Sequence, residues 1–364
     1  MSSYIPTPEE VQRIHEIRDH LLNTVKSILE KSGIKAKVLA TGSTAKGTFV
    51  SGDTDIDIFI VTTDYKKAYN LLKQNFPSSR RKEGAMDILH FIHEGYDVDL
   101  VFIPPDHPRM ETLIHTEFMN KNLTPQLKKE AIRAKAFFKS RGVYGAEIGG
   151  IVGIAIEELI RRYGKLEAVC EALQEYKEIP FIPDPANPNR NLLASIKPIR
   201  WKQIKEACRQ FLETKKFQYR RFTREDYLSS HRGWNNLFFS RLRDRPTDFH
   251  TALSVCNHSL NEIRNREPEV KGTCDAYVFN EVIISYDVYP RKLPKRKIHC
   301  GPALHMKEAV ETFKSIYKNT FVKDGRICTI IEREHTDIAE WMKELITKKM
   351  TDRGYKYLPE QPSV

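Results

Sequence analysis

Two short segments, residues 53–60 and 96–103, place aspartates at every second position before an apolar run. Side chains alternate across a β-strand, so Asp55 and Asp57 would share one face, and so would Asp97 and Asp99. Like charges on one face repel, and the usual reason for such a cluster is a hard cation such as Mg²⁺, which takes carboxylate oxygens and substrate phosphates. The alternative is a solvated strand face whose charges never meet.

A glycine-bounded turn lies just upstream, at residues 42–48, and follows an apolar run. Small residues let the backbone approach a ligand closely, and N–H groups at a strand-to-helix turn can hold phosphate oxygens. We therefore expect Gly42 to allow that approach, Ser43 to donate a hydroxyl and Lys46 to place a charge on the same phosphates. The spacing to Lys46 is not that of a P-loop. Turn, paired aspartates and a later aspartate together predict two-metal nucleotidyl transfer.

Several stretches resemble, in order, the archaeal-type (class I) CCA-adding enzymes, which are tRNA nucleotidyltransferases of the polymerase-β-like superfamily. The Gly-Ser and Asp-x-Asp pattern is shared with many relatives, whereas the later stretches are more specific. The stretches are residues 42–57, 115–118, 142–147, 184–191, 301–308 and 324–326. The resemblance implies template-independent addition of C, C and A to the acceptor end of tRNA, using CTP and ATP and releasing pyrophosphate.

The resemblance also implies an α+β chain with three parts. Residues 1–108 would be the catalytic nucleotidyltransferase palm, residues 109–213 a helical central domain that contacts base and triphosphate, and residues 214–364 an α/β body and tail that bind tRNA. The segment between residues 144 and 184 looks shorter than in typical relatives and lacks an inserted hairpin. Whether the chain adds all three nucleotides, and whether it forms a homodimer, is left open.

Site roles follow from the same resemblance. Asp55 and Asp57 would bind both metals and Asp99 would complete the catalytic site, leaving Asp97 as a strand-edge charge. The triphosphate ligands would be His115, Lys135 and Tyr144, and Arg190 would recognise the base. The alternatives are a helix-capping histidine, a solvated lysine, a packed tyrosine and a loop arginine.

The net charge of +11 suits a polyanionic partner. One segment in the C-terminal half holds five cations and no acid, and we predict that it contacts RNA phosphates, although it could also be a solvated loop. Its cations are Arg291, Lys292, Lys295, Arg296 and Lys297.

Six cysteines lack Cys-x-x-Cys spacing, which argues against a zinc site and predicts free thiols in a reducing cytoplasm. No stretch approaches 18 consecutive apolar residues, and no secretory signal is visible, so we expect a cytoplasmic protein without a membrane partner.

Hydrophobic periodicity and capping signals predict the main elements. Helices are expected over 7–31, 65–76, 124–141, 148–160, 303–317 and 336–350, with an Asp-Gly hairpin over 321–331. Two other functions remain open from sequence. One is a different template-independent nucleotidyltransferase, adding only A or resembling oligoadenylate synthetases. The other is a catalytically inactive RNA-binding homologue, against which the intact aspartates argue.

Overall fold

The computed structural model describes residues 4–82, 87–241 and 247–359. The chain divides into two compact units. The first contains residues 1–230 and 243–250, and the second contains residues 231–242 and 251–364. Residues 214–230, which were expected in the C-terminal half, therefore group with the first unit. A further division near residue 108 stays a prediction.

Helices and strands are interspersed along the chain, and four helices follow one another between residues 111 and 175. The helices are α1 Pro8–Lys31, α2 Gly42–Lys46, α3 Tyr65–Asn75, α4 Glu111–Asn122, α5 Pro125–Ser140, α6 Gly153–Tyr163, α7 Leu166–Glu175, α8 Pro198–Thr214, α9 Arg224–Ser230, α10 Asp248–Arg266, α11 Lys307–Ile316 and α12 Ile338–Thr351. The strands are β1 Lys37–Thr41, β2 Asp55–Val61, β3 Arg80–Lys82, β4 Asp87–His93, β5 Tyr96–Ile103, β6 Pro183–Asp184, β7 Asn187–Asn191, β8 Asn235–Ser240, β9 Lys271–Val278, β10 Glu281–Tyr289, β11 Arg296–Ala303, β12 Thr320–Lys323, β13 Arg326–Glu332 and β14 Lys356–Leu358. Within the described parts of the chain, no helix is both long and apolar enough to cross a membrane.

A five-stranded mixed sheet of order β1-β2-β5-β4-β3 forms the N-terminal part of the first unit. Only β2 and β5 pair in parallel among the pairings of this sheet's described residues. Alternate residues of β2 and β5, such as Ile58 and Leu100, are fully buried against the inner faces of α1 and α3. Thr7 caps α1 by accepting from the Glu10 N–H at 3.2 Å, at the start of the helix expected over 7–31. The α+β class is confirmed.

Helices α5 to α8 enclose a separate apolar core that includes Phe137, Phe138 and Phe211. The helix expected from residue 148 begins instead at Gly153. The reason is backbone conformation: Gly149, inside the expected range, has a φ of +64°, which an α-helix cannot contain. An internal hydrogen bond closes the loop over residues 143–151, because the Ile151 N–H donates to the Val143 carbonyl at 2.8 Å.

The second unit holds a four-stranded sheet, β14-β8-β10-β9, and a three-stranded sheet, β11-β13-β12. The predicted hairpin is present, and Asp324 and Gly325 both have positive φ, as a type I′ turn requires. The helix expected from residue 303 starts only at Lys307. Residues 296–303 form β11, whose pairing with β13 overrides the helical pattern.

One cysteine pair corrects the expectation of six free thiols. Cys300 and Cys328 form a disulfide. They lie opposite each other on the antiparallel strands β11 and β13, with their Cα atoms 4.0 Å apart. Spacing along the chain could not show this pairing, because 28 residues separate the two positions and only the strand register brings them together.

Candidate active site

The parallel pairing of β2 with β5 decides where the acidic side chains lie. In this register Asp55 is level with Asp97, and Asp57 is level with Asp99. Because each strand alternates, the residues between these aspartates point into the apolar core, and the four carboxylates lie on the opposite face. The structure therefore brings Asp55, Asp57 and Asp99 to one end of one sheet face.

The glycine of the turn is fitted against this face. Gly42 begins α2 directly after β1 and has a φ of +73°. A Cβ atom built on Gly42 would lie 2.2 Å from Oδ2 of Asp57. Only glycine supplies both the backbone conformation and the space, so the turn approaches the acidic face as closely as the sequence predicted. The Ser43 hydroxyl lies 3.3 Å from the Thr54 hydroxyl.

Burial and mutual repulsion disfavour the charged form of Asp55 and Asp57. Burial, and after it the charges of Asp55 and Asp99, raises the pKa of Asp57 to about 7. The pKa of Asp55 is also raised, by burial first and then by Asp99. Such a cluster favours a bound cation, because positive charge would relieve the repulsion that now favours protonation.

Two basic residues that sequence reasoning missed contact the third aspartate. Lys82 donates to Asp99 Oδ2 at 2.7 Å, and His90 Nδ1 lies 2.8 Å from Oδ1 of the same carboxylate. His90 also places Nε2 3.2 Å from Asp97. Both belong to neighbouring strands of the sheet, and alternation along β4 could have placed His90 on the acidic face.

The fit of this site to a metal can be judged from its donor chemistry. Across the ranges that the structure describes, no three acidic, histidine or cysteine side chains converge as a ligand set. The available donors are nevertheless carboxylate oxygens, which hard divalent cations prefer. Lys82 pairs with Asp99 at 2.7 Å, whereas burial and mutual repulsion raise the pKa of Asp55 and Asp57, so a cation shared by the three carboxylates would relieve these two most. The residues present fit a divalent metal ion.

A buried cluster of opposite charge lies on the elements next to this face. Lys46 Nζ and Lys135 Nζ each donate to Glu157 at 2.6 Å, on different carboxylate oxygens. Thr48 Oγ1 donates to Glu157 at 2.5 Å, and Lys135 also donates to the Thr48 carbonyl at 3.0 Å. Burial favours the neutral acid, but Lys135 and Lys46 lower the pKa of Glu157 to about 2.

Glu157 was missed from sequence, although an acid inside an apolar helix is a usable signal. It lies on α6 between the buried residues Ile156 and Leu159. The structure thus joins two predicted phosphate ligands, Lys46 and Lys135, which are 89 positions apart in the chain. Neither lysine is a solvated side chain.

Tyr144 lies beside this cluster. A Cβ atom on Gly153 would come within 2.8 Å of the Tyr144 hydroxyl and 3.7 Å of Lys135 Nζ, so the three residues meet closely. Lys139 Nζ lies 4.8 Å from the centre of the Tyr144 ring. Burial, and after it the charge of Glu157, raises the pKa of Tyr144 above its usual range, so its hydroxyl stays protonated.

The remaining two predicted ligands meet at a second buried carboxylate. His115 Nε2 lies 2.5 Å from Asp184 Oδ1, and Arg190 Nε donates to Asp184 Oδ2 at 2.7 Å. Arg190 also pairs with Glu111. The Asp184 pKa would rise through burial, but hydrogen bonds from His115, the Ala186 N–H and Arg190 hold it below its usual range. Arg190 is therefore oriented on β7 rather than loose in a loop.

Comparison with known proteins agrees with this geometry. Residues 21–132 match the model of the nucleotidyltransferase domain family. A CCA-adding enzyme of Methanothermobacter thermautotrophicus is 26% identical over 94% of this chain and 86% of its own length. A CCA-adding enzyme of Methanosarcina barkeri is 26% identical over 96% and 85%. The chain is therefore similar to archaeal CCA-adding enzymes over most of its length. Among solved structures, "Structure of Cid1 in complex with its short product ApU" is similar over 59% of this chain and 91% of that one, with a TM-score of 0.47 and 13% identity.

The basic segment of the second unit divides into two kinds of residue. The side chains of Lys295 and Arg296 are 74% and 75% exposed, near Glu332 at 3.6 and 4.0 Å. Lys297 is only 22% exposed and is fixed to the buried Glu267 at 2.6 Å. Lys297 therefore has a structural contact that the sequence did not reveal.

Arg291 and Lys292, the first two cations of the basic segment, also have contacts within the second unit. Arg291 donates to the Gly233 carbonyl at 2.6 Å, and Lys292 is exposed and forms a backbone bridge with Asp337. The contacts of Lys297 and Arg291 within the fold leave Lys292, Lys295 and Arg296 as the better candidates for RNA contact.

Proposed function

We propose that this protein adds C, C and A to the 3′ end of tRNA without a template, using CTP and ATP and releasing pyrophosphate. The observation that carries the proposal is the parallel register that sets Asp57 level with Asp99, with the Gly42 turn against the same face. The full-length similarity to CCA-adding enzymes supports it. In this proposal residues 1–108 act as the palm, 109–213 contact the nucleotide and 214–364 bind tRNA.

Asp55, Asp57 and Asp99 would hold divalent cations, which we propose to be Mg²⁺. When bound, such cations lower the pKa of the RNA 3′-hydroxyl and stabilise the triphosphate charge. The chain itself supplies orientation. Lys46 and Lys135 contribute fixed positive charge for phosphate oxygens, and the Gly42 turn keeps the backbone close to the acidic face.

Further contacts are proposed for the other predicted ligands. His115 and Tyr144 hydrogen-bond the triphosphate or sugar, and Arg190 donates to the base edge. Cytosine and adenine both present ring-nitrogen acceptors, so a guanidinium, which only donates, can serve either base. The two carboxylate oxygens of Asp184 contact His115 and Arg190. Asp184 therefore links the proposed phosphate ligand to the proposed base ligand.

The direct test uses tRNA that lacks its 3′-terminal CCA. The protein is incubated with this RNA, CTP, ATP and Mg²⁺, and the extended ends are sequenced. Addition of C, C and A in order supports the proposal. Tails of A alone would favour the rival nucleotidyltransferase, and unchanged ends with bound tRNA would favour the inactive RNA-binding homologue.

Arg190→Ala is expected to slow incorporation of C and of A together. The lost charged hydrogen bond should cost about 1–3 kcal/mol per nucleotide. Single-turnover assays on tRNA ending with no C, one C or two C measure it. The matched control is Arg209→Ala, which removes an exposed arginine of α8 that pairs with Glu206 and Glu213 on the same helix. Normal rates and fidelity on all three substrates would remove Arg190 from the site.

Replacing Lys295 and Arg296 by alanine is expected to weaken tRNA binding and to flatten its salt dependence. Each lost phosphate contact removes roughly 0.9 from the slope of log affinity against log salt. Fluorescence anisotropy over a salt series measures the slope. Lys66 and Lys67, exposed on α3, provide a control that removes the same charge elsewhere. If both double variants gave the same slope of log affinity against log salt, the basic segment would be a solvated loop that does not contact RNA.

Two further properties stay predictions. A homodimer is tested by light scattering on the purified protein, and a cytoplasmic location is tested by cell fractionation.

A further inference from the structure

We propose that Glu157 is a positioning residue of the triphosphate site. Its single carboxylate fixes the ammonium groups of Lys46 and Lys135 at the positions where they receive phosphate oxygens. This inference rests on the proposed function and extends it, because none of the motifs that carry the family resemblance contains Glu157.

The contacts of Glu157 are specific to the two lysines. One oxygen accepts from Lys46 at 2.6 Å, and the other accepts from Lys135 at 2.6 Å and from the Thr48 hydroxyl at 2.5 Å. The side chain is 0% exposed, so water does not compete for these bonds. Lys46 comes from the turn helix α2 and Lys135 from α5, so Glu157 on α6 joins two elements that are distant in sequence.

The charge balance of the cluster points to an anion. Two buried ammonium groups share the one carboxylate that contacts them, which leaves one more positive than negative charge among these contacting groups, and Asp57 is the acid of the neighbouring face on which Lys46 also acts. Lys139 adds a third cation nearby, although it pairs with Asp53 at 2.8 Å. A buried charge without a full partner is costly. A triphosphate would supply the missing negative charge.

The neighbouring acid shows what a purely structural ion pair looks like in this helix. Glu158 is 1% exposed, almost as buried as Glu157. It bonds Arg161 at 2.8 Å and Arg162 at 2.6 Å, both on its own helix, and neither is among the predicted ligands. Glu157 and Glu158 are thus two adjacent buried acids, one joined to predicted phosphate ligands and one not, and the second is a matched control.

The charge on Lys135 depends on this arrangement. Burial lowers the pKa of Lys135 to about 8, while Glu157 opposes the decrease and Lys46 and Lys139 add to it. The Tyr144 hydroxyl beside it stays neutral. Below about pH 8 the lysine is therefore charged and able to bind phosphate. Without the carboxylate the pKa of Lys135 should fall further, so a larger fraction of this lysine should be neutral at neutral pH, and acidification should restore its charge.

The test compares Glu157→Gln with Glu158→Gln and wild type. Inorganic tripolyphosphate binding is measured by calorimetry in EDTA, and KM and kcat for CTP are measured from about pH 6 to about pH 8.5. We expect Glu157→Gln to weaken tripolyphosphate binding and to raise KM more than it lowers kcat. The defect should shrink towards pH 6, because each pKa unit lost by Lys135 costs about tenfold in its protonated fraction above that pKa. Glu158→Gln should match wild type in both measurements.

Thr48→Val keeps the proposal testable if Glu157→Gln does not fold. This variant removes one hydroxyl that contacts both Glu157 and Lys135 and leaves every charge in place. It should raise KM for CTP by a smaller factor without the strong pH dependence.

Tripolyphosphate binding separates this inference from the proposed function. If both Glu157 and Glu158 variants bind tripolyphosphate like wild type, the positioning role is wrong even when tRNA is extended correctly. If the protein extends another RNA instead, a selective defect of Glu157→Gln still supports the role. An equal defect in both variants would also overturn it, since that would reflect the stability of α6.

Discussion

Asp57→Asn is expected to abolish nucleotide addition while leaving tRNA affinity nearly unchanged. Asparagine keeps the size of the side chain but removes the charge that would hold a divalent cation next to Asp55 and Asp99. We expect tRNA affinity to depend on other residues, so the substitution should affect the rate of nucleotide addition and not the affinity. We expect a loss on the order of a thousandfold or more in single-turnover rate at saturating tRNA, because charge stabilisation in the transition state is the term removed.

The matched control is Asp97→Asn, which removes a carboxylate from the same face at a position proposed to bind no metal. It should retain most of the activity. An Asp57→Asn variant that extends tRNA at a tenth of the wild-type rate or better would show that the metal assignment is wrong.

Asp57→Asn should lower activity but raise the stability of the fold at alkaline pH. The pKa of Asp57 is raised to about 7 in the folded protein, so its carboxyl lowers the free energy of unfolding as the pH rises from about 4 to about 7, and this loss is complete above that range. In EDTA at about pH 8 we therefore expect Asp57→Asn to melt at a higher temperature than wild type. The gap should narrow as the pH falls from about 7 towards about 4, because at the lower pH the carboxyl of Asp57 is protonated when folded and about half protonated when unfolded. A wild type that melts higher at pH 8 would contradict this account.

Local sequence patterns predicted much of the fold because the signals are short in range. The alternation of Asp55, Ile56, Asp57 and Ile58 defines a strand and its two faces, and Thr7 with Pro8 defines a helix start. The sequence also placed a later aspartate, Asp99, with Asp55 and Asp57, and the register sets Asp99 level with Asp57, while its role in the site stays a prediction. These features depend on residues fewer than five apart, or on two strands with the same period.

The residues that were missed depend on partners far along the chain. Glu157 can be recognised as part of the site only in the folded chain, where it contacts Lys46 and Lys135. These lysines are 111 and 22 positions away from it in the sequence. Asp184 likewise meets His115 over 69 positions. The strand β11 and its disulfide depend on β13, so the local helical pattern at 303 was misleading. Tertiary packing outweighs weak local propensity in each case.

Gly42→Ala is expected to cost most of the catalytic activity with only a moderate loss of stability. The new methyl group would require a φ near +73°, which costs roughly 1–2 kcal/mol for a residue with a Cβ atom. It would also lie 2.2 Å from Asp57 Oδ2, so either α2 or the carboxylate must move. A misplacement of about 1 Å at a catalytic group can lower the rate about a hundredfold. Single-turnover addition of C to tRNA measures the effect.

Gly33→Ala isolates the backbone part of this effect. Gly33 has a φ of +69°, and a Cβ atom there meets nothing within 4 Å. The two variants should therefore lose similar stability on account of the backbone, as measured by chemical denaturation, whereas only Gly42→Ala should lose activity. Full activity in Gly42→Ala would mean that the turn can retreat from Asp57 without consequence, and that close approach of the backbone to the acidic face is not needed for nucleotide addition. A selective loss would instead make the contact between Gly42 and Asp57 part of the catalytic geometry.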